Sequence, residues 1–125
     1  MKASTPQISE AEWEVMKALW EGRDATAGEV ARRVAQWKDW HPRTVKTLLS
    51  RLVRKGAAEM REASGGRFVY RAKVSRESCR REESRSFLAR VFDGQVAPAV
   101  VQFVQEAKLS KSEIDELKRI PDEGK

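Results

Sequence analysis

A mainly α chain with a small β-sheet is the fold class that the sequence predicts. Three observations predict it. Apolar residues recur at helical spacing in several separate segments, three Ser/Thr-x-x-Glu boxes mark helix starts, and a glycine pair between two alternating stretches marks one hairpin. Read along the chain, the order is helix, helix, helix, hairpin, then a helical tail. That order is the one of a winged helix-turn-helix with an appended helical region.

Ser9-Glu10-Ala11-Glu12 has the form of a capping box, with Ile8 and Trp13 placed for its hydrophobic staple. The first helix then runs to about Trp20 on Val15, Met16, Leu19 and Trp20, and Gly22 ends it. Thr26-Ala27-Gly28-Glu29 opens the second helix, which carries Ala27, Val30, Ala31 and Val34 and ends near Trp37. Pro42 stands at the first position of the third helix, 42–55, and Gly56 caps its end. Two stretches, 57–62 and 67–73, flank Ser64-Gly65-Gly66. Within the second, Phe68 and Tyr70 alternate with Val69 and Arg71, so the pair reads as a hairpin. A short strand around Asp24 and Ala25 would complete the sheet.

Ser75 is placed to cap a long helix to about Phe92, with Cys79, Phe87, Val91 and Phe92 on its apolar side. Asp93-Gly94 breaks that helix, and Pro98 starts a shorter one through Val100, Val101, Phe103 and Val104. Ser110-Lys111-Ser112-Glu113 is a third capping box, stapled by Leu109 and Ile114. Leu117 and Ile120 continue this helix as far as Pro121. The organisation is therefore two regions, 1–73 and 74–125.

Composition narrows the function. Charged residues make up 35% of the 125 residues and hydrophobic ones 40%, with four Trp and four Phe to anchor a core. No apolar run approaches the ~20 residues that span a bilayer, and the N-terminus lacks the apolar segment of a signal peptide. A cytoplasmic protein with no membrane partner is expected. One cysteine, Cys79, and one histidine, His41, give neither an intramolecular disulfide nor a metal site. Cys79 reads as a small residue on the inner side of a helix, with a redox or intermolecular role as the alternative. No catalytic constellation, phosphate loop or metal cluster appears, so neither an enzyme nor a cofactor is expected.

Charge is unevenly placed. Residues 1–73 hold 15 Lys/Arg against 9 Asp/Glu, whereas 74–125 hold 10 of each, so the whole net charge of +6 lies in the first region. A polyanion partner is implied there and not in the second. The third helix concentrates the effect, with five basic residues and no acid from Arg43 to Lys55. Its residues 45, 48, 49, 52 and 53 form a core-facing stripe. At ~100° per residue the opposite face holds Arg43, Thr47, Ser50, Arg51 and Arg54, with Thr44 and Lys46 on its flanks. Arginine donates two parallel hydrogen bonds to guanine, threonine offers a hydroxyl and a methyl to thymine, and lysine or serine holds phosphate. An ordinary solvated face mixes signs to gain i, i+4 pairs, and this one does not. Arg67, beside the glycine pair, is placed as a wing contact to DNA or as an exposed turn residue. The four Trp read as packing anchors.

These segments carry a resemblance. The stretch 8–20, Ile-Ser-Glu-Ala-Glu-Trp-Glu-Val-Met-Lys-Ala-Leu-Trp, resembles the opening signature of the penicillinase/methicillin-resistance repressors of bacteria, and 43–56 resembles that family's recognition helix. The likeness continues through Arg67-Phe-Val-Tyr70, Ser86-Phe-Leu88 and Leu109 to Leu117. It implies a homodimer with an N-terminal winged helix and a C-terminal helical dimerisation part. It also implies inverted-repeat operators with a TACA/TGTA core, repression of resistance or stress genes, and Thr44, Thr47 and Arg51 as base readers. Arg43, Lys46, Ser50 and Arg54 are then phosphate clamps.

The resemblance also implies release by a regulatory protease, which in the best-known members cuts between an Asn and a Phe in the helix after the Gly break. The matching pair here is Gln102-Phe103, a departure at the first position. No Cys-x-Cys pair is present, which points away from direct copper sensing. The second region holds too little material to cover its own apolar faces, so Phe87, Val91, Val100, Phe103, Val104 and Leu117 are expected to meet a second copy. A winged-helix module that docks an acidic protein is the alternative from another class.

Overall fold

The computed structural model describes residues 5–119, so Ile120 and Pro121 lie outside the described residues. The chain divides into two compact units, Met1–Ser84 and Arg85–Lys125.

The first unit contains α1 (Glu10–Trp20), α2 (Ala27–Val34), α3 (Pro42–Lys55), β1 (Ala58–Glu62), β2 (Phe68–Ala72) and the first turns of α4 (Arg76–Val91). Both N-terminal capping boxes close reciprocally. The Glu12 N–H donates to Ser9 Oγ at 3.2 Å and the Ser9 N–H to Glu12 Oε1 at 2.9 Å. Thr26 and Glu29 repeat the arrangement at 3.2 and 2.8 Å. Each pair satisfies two of the N–H groups that a helix start leaves without partners. The apolar stripes converge on one core of Val15, Met16, Leu19, Val30, Val34, Val45, Leu48, Leu49 and Leu52. Trp13, Trp20, Trp37 and Trp40 pack against it, as packing anchors do. Burying each of these Val and Leu side chains is worth about 1.5–3 kcal/mol, and together they fix the roll of α3 about its own axis.

β1 and β2 pair antiparallel from Ala58↔Ala72 to Glu62↔Phe68. The strand expected near Asp24 is one residue long. Ala25 exchanges both backbone hydrogen bonds with Tyr70, at 3.1 and 2.7 Å. At the hairpin tip Gly65 and Gly66 have φ of 77° and 73°, the left-handed region where a side chain is strained. Space does not demand glycine there, since a Cβ on Gly65 would meet nothing within 4 Å.

Several boundaries differ from the sequence reading. α2 ends at Val34, because the N–H groups of Gln36 and Trp37 turn back to the carbonyls of Arg33 and Val34 at 3.1 and 3.0 Å and tighten the last turn. The two units meet at 84/85, inside α4, where the sequence reading set 73/74. The start of α4 belongs to the first core: Cys79 is buried in it, Trp20 Nε1 donates to Val74 O at 3.0 Å, and the Arg76 guanidinium lies 5.3 Å from the Trp20 ring. Burial pushes the Cys79 thiol up, only partly offset by Ser78, which keeps it an inert neutral group at neutral pH.

The second unit holds the rest of α4, then α5 (Val96–Ala107) and α6 (Lys111–Lys118). Asp93 and Gly94, with φ of 52° and 80°, break the chain between α4 and α5. α5 starts two residues before Pro98. Proline then occupies the third helical position, where its missing N–H would have found no intrahelical acceptor. Phe87, Phe92 and Phe103 form an aromatic cluster with ring centroids 5.8–6.4 Å apart. α6 opens on the expected box, with Glu113 N–H to Ser110 Oγ at 3.2 Å. Among the described residues of this unit only Ala99 is buried.

Candidate nucleic-acid interface

The interface is built on α3. His41 caps the helix, its Nδ1 accepting the Arg43 N–H at 3.0 Å, and Pro42 presets the first turn. With Val45, Leu48, Leu49 and Leu52 buried, the seven residues Arg43, Thr44, Lys46, Thr47, Ser50, Arg51 and Arg54 are all exposed. The face deduced from the wheel is thus one continuous exposed surface. Thr47 donates its hydroxyl proton to the Arg43 carbonyl at 3.1 Å, which leaves oxygen lone pairs and a methyl group for a ligand.

Electrostatically this face stands apart. Ion pairs among the described residues include Lys17 with Glu14, Arg61 with Asp24, Arg71 with Glu59, Arg81 with Glu77 and Lys55 with Glu12. None of them takes up Arg43, Lys46, Arg51 or Arg54. Four uncompensated cations on one helical face attract a polyanion and give binding that weakens with salt.

Lys55, the fifth cation, is different. Its ammonium lies 2.5 Å from Glu12 Oε1, and Glu12 is only 2% exposed. Sequence reasoning missed this pair, which spans 43 positions and has no local signal. Burial by itself would raise the Glu12 pKa. The hydrogen bond from Lys55 and those from Ser9 outweigh it and hold the carboxyl below its ordinary value. A depressed carboxylate stabilises the fold above its unfolded pKa and loses that contribution as pH falls through the folded value. Glu12→Gln is therefore expected to flatten the fall in melting temperature below about pH 4.3, checked by thermal melts of both proteins down to about pH 3.

Arg67 is exposed at the wing, next to Phe68, which is 50% exposed. Its charge also reaches Glu29 at the start of α2. The Glu29 carboxyl is held below its usual range first by the Thr26 N–H, with Arg32 and Arg67 adding to the effect. In the second unit, Val91, Val100, Phe103 and Leu117 are 40–51% exposed, whereas Phe87 and Val104 are half-buried. Gln102 is exposed, its amide donating to Glu106 at 3.1 Å. Among the described residues no group of three or more His, Cys, Asp or Glu is placed to hold a metal ion, and no single helix is long and apolar enough to cross a membrane.

The family model of the penicillinase repressors matches residues 8–123. The chain belongs to that family. The penicillinase repressor of Bacillus licheniformis is 37% identical over 120 residues, 96% of this chain and 93% of that one. The methicillin resistance regulatory protein MecI of Staphylococcus aureus is 35% identical over 120 residues, 96% of this chain and 97% of that one. The solution structure of the monomeric form of B. licheniformis BlaI in complex with the blaP half-operator matches with a TM-score of 0.51. It is 37% identical and covers 58% of this chain and 88% of that one. The penicillinase repressor fold is thus the winged helix expected from the sequence, and the family is one of transcriptional repressors rather than of enzymes.

Proposed function

We propose that this protein is a dimeric, sequence-specific transcriptional repressor that sets α3 in the major groove of an inverted-repeat operator of TACA/TGTA type. The observation that carries this reading is the exposed, acid-free face of α3 with its four unpaired cations. Thr44, Thr47 and Arg51 read base edges. Arg43, Lys46, Ser50 and Arg54 grip phosphate, and Arg67 adds a wing contact. A half-operator bound to a monomeric form of BlaI supports one winged helix per half-site. Two half-sites then need two copies, joined through the second unit, where Val91, Val100, Phe103 and Leu117 await cover. The site of action is the cytoplasm, where the operator lies.

Release by a regulatory protease at the 102–103 bond belongs to the same reading. Gln102 and Phe103 are both exposed on α5, and Gln replaces the Asn that the family's cleavage point carries. Incubation with a sensor protease of the family and mass analysis of the products tests that part alone.

A gel-shift titration tests the main reading. At about 150 mM salt the full-length chain is expected to bind a palindromic TACA/TGTA duplex at least a thousandfold more tightly than a random duplex. Equal affinity for the two would overturn sequence-specific repression and leave the basic face to an acidic protein partner.

A further inference from the structure

Lys55 has no part in the reading above, yet it is the most constrained cation of α3. Its ammonium donates to Glu12 Oε1 at 2.5 Å and to the Gln7 carbonyl at 2.9 Å. The same Oε1 accepts the Ser9 N–H at 2.9 Å. One carboxylate oxygen therefore closes the capping box at the start of α1 and holds the last residue of α3. Glu12 is among the largest fully buried side chains of the protein, and a charge in that position is tolerated only with its partner in place.

The position of Lys55 gives the contact a second consequence. On the helical wheel Lys55 lies about 100° from the middle of the basic face, on the side of Thr44. Its four-carbon stem, freed from Glu12, could swing the ammonium toward the phosphates that flank the groove. Phosphate contacts carry no sequence information, so a released Lys55 would strengthen binding to any duplex. Loss of the clasp would also loosen the last turn of α3, and with it Arg51, one turn before Lys55.

We propose that Glu12 is a positioning residue for the DNA-reading face: it seats the C-terminal end of α3 on α1 and holds the Lys55 ammonium off the DNA. The inference rests on the DNA-binding reading. Arg43, Lys46 and Arg54 of α3, and not Lys55, then contribute the phosphate contacts that set the salt dependence of binding.

The test uses the full chain as wild type, Glu12→Gln, Lys55→Met and the double variant, each titrated over a range of salt against the palindromic and a random duplex. Glutamine can still serve the capping box, so Glu12→Gln removes the charge while keeping the cap. Glu12→Gln is expected to steepen the slope of log K on log salt for the random duplex by about 0.9, one added phosphate contact. It should also lower the operator-to-random ratio about tenfold, the worth of one base-reading contact. Lys55→Met should keep the wild-type slope, and the double variant should return to it.

A clasp that only stabilised the fold would lower both affinities together and leave the slope of Glu12→Gln unchanged, which overturns the proposal. A slope about 0.9 shallower in Lys55→Met would place Lys55 on phosphate already and overturn it equally, even if Glu12→Gln failed to fold. A wild type that does not discriminate removes the DNA reading itself. A discriminating wild type beside an unchanged Glu12→Gln removes the clasp alone.

Discussion

Val100→Asp is expected to turn the proposed dimer into monomers and to lower operator affinity about a hundredfold or more. Val100 is 41% exposed on α5, within a set that includes Val96, Val101 and Phe103 at 51–59%. Covering such a set against a second copy removes apolar area from water at about 25 cal/mol per Å². A carboxylate placed in that seam would be buried unpaired, at a cost of about 3–5 kcal/mol. Two subunits mean two such charges. The loss on DNA follows because linking two half-site binders raises avidity about 10²–10⁴-fold over either alone. Sedimentation checks the first part and a gel shift the second. A Val100→Asp protein that stays fully dimeric would remove α5 from the interface.

Phe103→Asp should have the same sign but is the less clean variant. Phe103 stacks on Phe87 at 6.0 Å and meets Phe92 edge-on at 6.4 Å, so the substitution also dismantles the cluster inside one copy. Circular dichroism would separate the two effects, with Val100→Asp keeping the helical signal that Phe103→Asp in part loses.

What the sequence made visible is what acts over three or four residues. Ser9, Thr26 and Ser110 each bond to the N–H three positions on, and the matching Glu bonds back, so each helix start is written in four letters. The roll of α3 was equally plain, because Val45, Leu48, Leu49 and Leu52 repeat at the helical period and leave the opposite face to solvent. Contacts between distant segments left no such trace. The grip of Glu12 on Lys55 joins residues 43 apart. The anchoring of α4 on the first unit depends on the Trp20 bond to Val74, 54 positions away, beside Cys79, whose place on the inner side of the helix was legible. The element order therefore set the boundary at the start of this helix, whereas packing carries the first unit on to Ser84.

Arg51→Ala and Arg54→Ala should weaken DNA binding in two different ways. Both side chains are exposed on the same face and neither enters an ion pair among the described residues, so truncation disturbs no internal contact. If Arg51 forms two parallel hydrogen bonds to a guanine edge, its loss costs about 1–3 kcal/mol on the operator and much less on random duplex, where no guanine stands in register. Discrimination then collapses about five- to 150-fold while the salt slope barely moves. Arg54, three residues further along, is proposed to neutralise phosphate whatever the sequence. Its loss should weaken operator and random duplex alike and flatten the slope of log K on log salt by about 0.9. The pair of slopes and the pair of ratios, measured by salt-dependent titration, separate reading from gripping. Equal losses on both duplexes for Arg51→Ala would move the reading role to the threonines, since Thr44 and Thr47 lie nearer the N-terminal end of α3, the end that the proposed docking sets deepest in the groove.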